Sequence, residues 1–396
     1  MCDLVKFLWR LTYYESRLLG MLNFEIDLQT GRARCTPRAW TSALIVNLLV
    51  LSGILSQIYL WHSLPLSWSI NDHLMEYLFL TTFAVRLGCV SGTIVSRWSC
   101  CHRLVRLTNA FQRLALERPQ VVALWRRRVL AKLLSATSKE LMQFTVFLYS
   151  NRNNITYKGL VIFYAFLVTS LLTELITYQY DFALLNVHCH YVVLNRELRE
   201  ILRETRSLQL QRRKATLMIE CCRLADRLEC IASTQTQLQC LVEHIASLFG
   251  IPSLCESVNY IVYTICMVYF VYNAYRRHNV IFSWTSCRSA LIVAKVCCYL
   301  IDVFISAKFA FILLDAHAEM IELLAEQSDL GLNLDERLVT VFQSFAMQMS
   351  RKPLKLPVLK LFNMKRAKAL AMASYIFTNS IVVIQYDMQH YQGRAK

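Results

Sequence analysis

The sequence predicts an all-α membrane protein with seven transmembrane helices, a cytoplasmic N-terminus, an extracellular C-terminus and long cytoplasmic helical extensions. Three observations lead there. Apolar residues make up 56% of the 396 and charged residues 18%, whereas soluble domains average about 25% charged. The apolar residues gather in seven runs near the roughly 20 residues that a helix needs to cross the hydrocarbon core. The cationic residues are sorted between alternate connections, as they are when a membrane separates the two sides.

The runs lie at 39–61, 73–96, 130–150, 159–185, 253–274, 287–314 and 367–390. Ala43 to Leu60 in the first and Val258 to Val271 in the fifth are the clearest. The third is the weakest, because Lys132, Lys139 and Glu140 interrupt it. The expected order is a cytoplasmic N-terminal segment (1–38), spans one to four (39–185) and a cytoplasmic helical anchor (186–252). Spans five and six (253–314), a second anchor segment (315–366), the last span (367–390) and an extracellular tail (391–396) complete it. The N-terminus shows no continuous apolar run with a small-residue cleavage site. No removable signal peptide is expected, and the first span directs insertion.

Orientation follows from Lys and Arg. Of the 43, thirty fall in the N-terminal segment and the connections after spans two, four and six. The connection after span two includes the run Arg126-Arg127-Arg128. Six fall on the other side and seven within the spans. This imbalance places the N-terminus inside. Asn154-Ile155-Thr156 is a glycosylation triplet in a short connection that the charges place outside. The inverted orientation argues against a G-protein-coupled receptor. There is also no acidic-Arg-Tyr box after the third span and no Asn-Pro-x-x-Tyr in the last. The excess of base over acid (formal net charge +16) could suggest nucleic acid, but it resides in these loops, and no nucleic-acid partner is expected. The fifteen cysteines form no two-by-two zinc spacing and read as small buried hydrophobes.

The anchor segments are amphipathic. Leu194, Leu198, Ile201 and Leu202 recur at helical spacing with arginines between them, and Met218 to Leu248 continues with Leu224, Leu228, Ile231, Leu238, Leu241 and Ile245. Gly250 and Pro252 are expected to stop that helix before span five. Leu338, Val341, Phe342 and Phe345 form a further stripe ahead of Pro353 and Pro357. These faces imply packing together and with other subunits; lying on the inner leaflet is the alternative.

The last run holds the oddest pattern. Thr378 and Gln385 are two helical turns apart, and Thr378, Ile381, Val382, Gln385 and Gln389 share a face. Polar groups inside a bilayer need partners or water, so one side of this helix is wet or bonds a neighbouring helix. Asn379 and Tyr386 flank that face and suit packing between helices. Asp387, with Gln389, lies nearer the outside and reads as an acidic vestibule or a solvated helix end.

Charges within other spans are candidates for ligand contact: Glu76, Arg86, Glu174, Asp181, Lys295, Asp302 and Lys308. Asp302 and Lys295 are seven apart and could pair through water or a third group. Tyr59, Trp61, Trp68, Tyr77, Tyr260 and Tyr263 could stack on a planar ligand or form an interfacial belt. From these, Glu76, Arg86, Glu174, Tyr260, Tyr263 and Asp302 are the ligand-site candidates. His188-Cys189-His190 is not read as a metal site, because alternate helical residues diverge by about 200°. Neither a metal-ligand cluster, a nucleophile elbow nor a phosphate loop is present in the sequence. No enzymatic activity and no cofactor are therefore expected.

The chain resembles the insect gustatory receptors, seven-span chemoreceptors related to insect odorant receptors. Their signature in the last span is Thr-Tyr, five apolar residues, then Gln-Phe. Here Thr378 and Gln385 match at that spacing, Asn379 and Tyr386 replace the two aromatics, and Ser380 breaks the apolar middle. The segment Tyr14 to Thr30, with Asn23-Phe24-Glu25-Ile26-Asp27 and then Gly31-Arg32, also fits, as do the inverted topology and the long cytoplasmic helices. The variant Asn-Ser-Ile…Ile-Gln-Tyr-Asp-Met resembles a fruit-fly subgroup.

The resemblance implies the insect chemoreceptor channel architecture: a plasma-membrane homo- or hetero-tetramer with other gustatory receptor subunits, opened by a small-molecule tastant of bitter type and passing cations without selectivity. It implies a pore lined by the last span, with Gln385 in the gate, a pocket open to the outer half, an anchor where subunits meet, and no G protein. The alternatives are a non-conducting tuning subunit and a transporter.

Overall fold

The computed structural model describes residues 10, 12–27, 30–62, 73–151, 157–208, 214–276, 287–326, 335–359 and 361–394. Asn154 and Trp68 lie outside the described residues, as do the side chains of Tyr59 and Trp61.

Apolar runs become helices because a helix satisfies its own backbone without water. The seven runs are covered by α1 (Pro37–His62), α2 (His73–Ser99), α4 (Gln120–Asn151), α5 (Tyr157–Leu208), α6 (Lys214–Arg276), α7 (Cys287–Ala325) and α9 (Arg366–Arg394). Two more, α3 (Cys101–Glu117) and α8 (Glu336–Arg351), are amphipathic and lie between them. Among the described residues four stretches are long and apolar enough to span a membrane on composition: Glu76–Ser99, Ala215–Asn273, Ala290–Ala325 and Arg366–Gln389.

The helices α5 and α6 are 52 and 63 residues long. The expected stop at Gly250 and Pro252 does not occur, since α6 runs through both. One interior proline forfeits a single backbone bond, at a cost of about 3 kcal/mol. Packing along the rest of so long a helix offsets that. Gly250 has its own reason to be there: a Cβ would lie 3.3 Å from the Leu359 side chain, which the missing side chain lets close in.

The amphipathic faces meet one another. Leu194, Leu198 and Ile201 of α5, Leu224, Leu228 and Ile245 of α6, and Leu338, Phe342 and Phe345 of α8 are all buried in one core. Asp335 starts α8 as its N-cap, its carboxylate accepting from the Arg337 N–H at 2.9 Å. His188, His190 and His317 are buried at the edges of this region, and desolvation pulls each imidazole down to about 4. They are therefore neutral at physiological pH. The His188 ring is turned toward α7, with Nδ1 3.0 Å from the Ile312 carbonyl. Among the described residues no three His, Cys, Asp or Glu side chains are arranged to hold a metal ion.

Ahead of α1, β1 (Glu25–Ile26) and β2 (Ala33–Arg34) form an antiparallel hairpin. It docks on α3, where the Asn109 amide accepts from the Ala33 N–H at 2.8 Å and donates to the Ala33 carbonyl at 3.1 Å. Gly31 turns the hairpin with φ +68, and a Cβ there would collide with Gln112, which donates to the Thr30 carbonyl. A second small hairpin, β3 (Pro357–Val358) with β4 (Phe362–Asn363), leads into α9.

Candidate functional site

Five helices converge on one narrow pocket. Arg86 comes from α2, Lys139 and Gln143 from α4, Ser170, Thr173 and Glu174 from α5, Glu256, Asn259, Tyr260 and Tyr263 from α6, and Lys295 and Tyr299 from α7. Helical spacing explains the α6 contribution, because residues 256, 260 and 263 fall on one face. Tyr299 gathers the aromatics, edge-on to Tyr263 at 4.8 Å and to Tyr260 at 5.9 Å between ring centroids. The Arg86 guanidinium lies over the Tyr263 ring, 5.7 Å from its centroid. Gln143 Nε2 and Asn259 Oδ1 are buried and have no hydrogen-bond partner among the described residues. The cavity volume is about 20 Å³, room for about one water, so the open donor and acceptor suit a water here or the polar groups of a ligand for which the side chains move apart.

One wall of the pocket belongs to a buried ionic cluster. The Lys132 ammonium donates to Asp302 Oδ1 and to Ser306 Oγ, each at 2.8 Å, and to Glu174 Oε1 at 3.4 Å. It also lies 3.5 Å from Asp181 Oδ2. Lys139 pairs with Glu174 and, at 3.3 Å, with Asp302. Ser135 donates to Asp302 at 2.7 Å and Ser306 to Asp181 at 2.7 Å. Lys132 is 1% exposed and Asp302 0%, so these charges persist only because they satisfy one another. The cluster ties α4, α5 and α7 together and shares Lys139 and Glu174 with the pocket.

Of the six ligand candidates, Arg86, Glu174, Tyr260 and Tyr263 come together in this pocket. Asp302 sits in the ionic cluster instead, and Glu76 is exposed on α2, away from both. Lys295 lines the pocket, while Asp302 is bonded by the α4 lysines. Seven residues advance about 10.5 Å along a helix, too far for direct pairing, whereas α4 crosses beside Asp302. Lys132, Lys139, Gln143, Glu256, Asn259 and Tyr299 were not singled out as ligand candidates. The two lysines had left a signal as the interruptions of the third run.

The last helix is arranged differently. Its main neighbour is α6. Toward the chain it turns Ile376, Ser380, Val383 and Asp387, with Ser380 buried and the other three half-buried. The opposite face carries Thr378, Ile381, Val382, Gln385 and Gln389, and all five are exposed. Asn379 is half-buried and donates to the Tyr375 carbonyl of its own helix at 2.8 Å; Tyr386 is exposed. Asp387 is thus on the chain-facing side and not with Gln389.

Comparison with known proteins agrees over the whole length. The family model described as 7tm Chemosensory receptor matches residues 9–390. The Drosophila melanogaster protein named gustatory receptor 59d is 33% identical over 395 residues, covering 99% of this chain and 100% of the relative. Gustatory receptor 36a of the same species is 28% identical over 403 residues, with 99% and 100% covered. Among solved structures, the olfactory receptor OR5 from Machilis hrabei in complex with eugenol superposes with a TM-score of 0.64 at 13% identity, covering 97% of this chain and 99% of the other.

Proposed function

The chain belongs to the 7tm chemosensory receptor family, as an insect gustatory receptor and a multi-pass membrane protein, and we propose that it is one subunit of a tetrameric, tastant-gated cation channel of the plasma membrane. Its N-terminus and the anchor segments (186–252 and 315–366) face the cytoplasm in this reading, which the distribution of Lys and Arg supports.

The observation that carries the proposal is the uncovered face of α9. Thr378, Ile381, Val382, Gln385 and Gln389 share that face, and none is covered by the rest of the chain. A face of mixed apolar and amide side chains left bare by its own subunit suits a central axis where four copies meet. There the Ile381 and Val382 rings close by dewetting, and the Gln385 amides contact ions when the path opens. The pocket bounded by Arg86, Glu174, Tyr260 and Tyr263 is the tastant site. Its tyrosines and open amides suit a small ring-bearing compound, and the resemblance of the last span to a fruit-fly subgroup favours bitter compounds. That an olfactory receptor of this fold was solved with eugenol supports a small organic ligand.

The test is electrical. Gln385→Ala is expected to alter gating or ion permeability with surface expression kept; unchanged currents would remove Gln385 from the pore. Recording the chain alone and with partner receptors across a panel of bitter compounds decides the subunit's role. Current from the chain alone supports a conducting homomer, and current from mixtures only supports a tuning subunit.

A further inference from the structure

Four of the described cysteines are exposed, and one of them, Cys35, has company. Its Sγ lies 3.7 Å from Cys101 Sγ and 3.7 Å from His102 Nδ1. The two cysteines are 66 residues apart in sequence and reach each other across two elements. Cys35 follows strand β2, two residues before α1 begins, and Cys101 opens α3 directly after α2 ends. Neither is in a disulfide in this structure.

We propose that Cys35, Cys101 and His102 form an oxidisable dithiol site, at which a peroxide converts the two thiols to a disulfide that staples the N-terminal hairpin to the start of α3. The geometry is nearly in place. A disulfide needs its sulfurs about 2.05 Å apart, so side-chain rotation has little distance to close. The hairpin is already held against α3 by the two Asn109–Ala33 bonds, so the backbone need not travel.

The roles divide by exposure. Cys35 is open to small oxidants and has an imidazole nitrogen beside it to take its proton. Cys101 is half-buried, and burial with the neighbouring Cys35 thiol pushes it up to about 12, so it stays a thiol. The Cys35 thiolate attacks one peroxide oxygen; the O–O bond breaks, hydroxide leaves, and a sulfenic acid forms. The Cys101 sulfur then attacks the Cys35 sulfur; the S–O bond breaks, and the departing hydroxide takes the Cys101 proton to leave as water. Two thiols and one peroxide give one disulfide and two waters.

Assigning this site to the reducing side rests on the proposed orientation, whereas the reaction does not. In that compartment thiols are kept reduced, and the disulfides that do form serve transiently as sensors. Because the stapled segment runs straight into α1, oxidation would fix the entry of the first span to the α2–α3 junction.

The test uses the full-length receptor in intact cells exposed to hydrogen peroxide, followed by alkylation, digestion and mass spectrometry. The expected result is free Cys35 and Cys101 before exposure and a linked Cys35–Cys101 peptide pair afterwards, reversed by dithiothreitol. Cys35→Ser and Cys101→Ser should each abolish the linked pair, and His102→Ala should slow its formation severalfold with the receptor still at the surface. Persistent alkylation of both cysteines, or linkage of Cys101 to Cys100, would overturn the proposal. A pair already linked in untreated cells would also overturn it, and would count separately against the orientation.

Discussion

Replacing Lys132 with methionine tests whether the buried ionic cluster holds the spans together. Methionine is one atom shorter and similarly slender, and it removes the ammonium with both its charge and its three hydrogen bonds. The loss can be followed bond by bond. Asp302 keeps Ser135 at 2.7 Å and Lys139 at 3.3 Å, and Glu174 keeps Lys139. Asp181, 2% exposed, keeps only the Ser306 hydroxyl at 2.7 Å and becomes a buried carboxylate without a cation among the described residues. Breaking a buried pair from one side costs about 3–5 kcal/mol. With one acid orphaned and two still partnered, the lower end applies, about 3 kcal/mol. At a few degrees per kcal/mol for chains somewhat shorter than this one, Lys132→Met should lower the melting temperature by about 5–10 °C. The assay is loss of the monodisperse peak of detergent-solubilised receptor on heating, read by size exclusion. Asp181→Asn added to Lys132→Met should recover more than half of the loss, because it removes the orphaned charge. A Lys132→Met protein melting within about 1 °C of the parent, or a double variant less stable than the single, would refute the reasoning.

Further expectations concern pH, the pocket and orientation. The folded values of His188, His190 and His317 are held down to about 4, against about 6.5 in an unfolded chain. Between those values the unfolded state binds more protons, so the loss sets in below about pH 6.5 and is complete below about pH 4. It reaches on the order of 2 kcal/mol per imidazole near pH 5. Melting at pH 5 and pH 7.5 checks this, and equal midpoints would contradict it. Tyr260→Ala should shift tastant potency by up to about tenfold while surface expression holds, in line with about 0.5–1.5 kcal/mol for an aromatic pair; an unchanged dose–response curve would remove Tyr260 from the pocket. Asn154→Gln should abolish a glycosidase-sensitive mass shift if the connection after the third span is extracellular, and a parent protein with no such shift would leave the orientation without that support.

Much of the fold was legible because periodicity and length are local properties. The seven runs, the long α5 and α6, and the stripe Leu338, Val341, Phe342 and Phe345 each follow from residues within a few turns of one another. The stripe is where α8 packs into the core, with Leu338, Phe342 and Phe345 buried. What failed, or was missed, depended on partners distant in the chain. Pro252 looked like a terminator because propensity is a local cost, and packing along 63 residues of α6 outweighs it. Lys132 and Lys139 looked like flaws in a weak span because their partners Glu174 and Asp302 lie 42 and 163 residues away. Seen from the other helices, the same charges answer the question that Glu174, Asp181 and Asp302 had posed: three carboxylates in two apolar runs require cations, and the weakest run supplied them. An interrupted span among acid-bearing spans is thus itself a contact prediction, since bilayer-buried charges of opposite sign persist only in one another's company. By the same rule the exposed polar side chains of Thr378 and Gln385 on α9 need company, which the proposed channel supplies as a second copy of the chain or water.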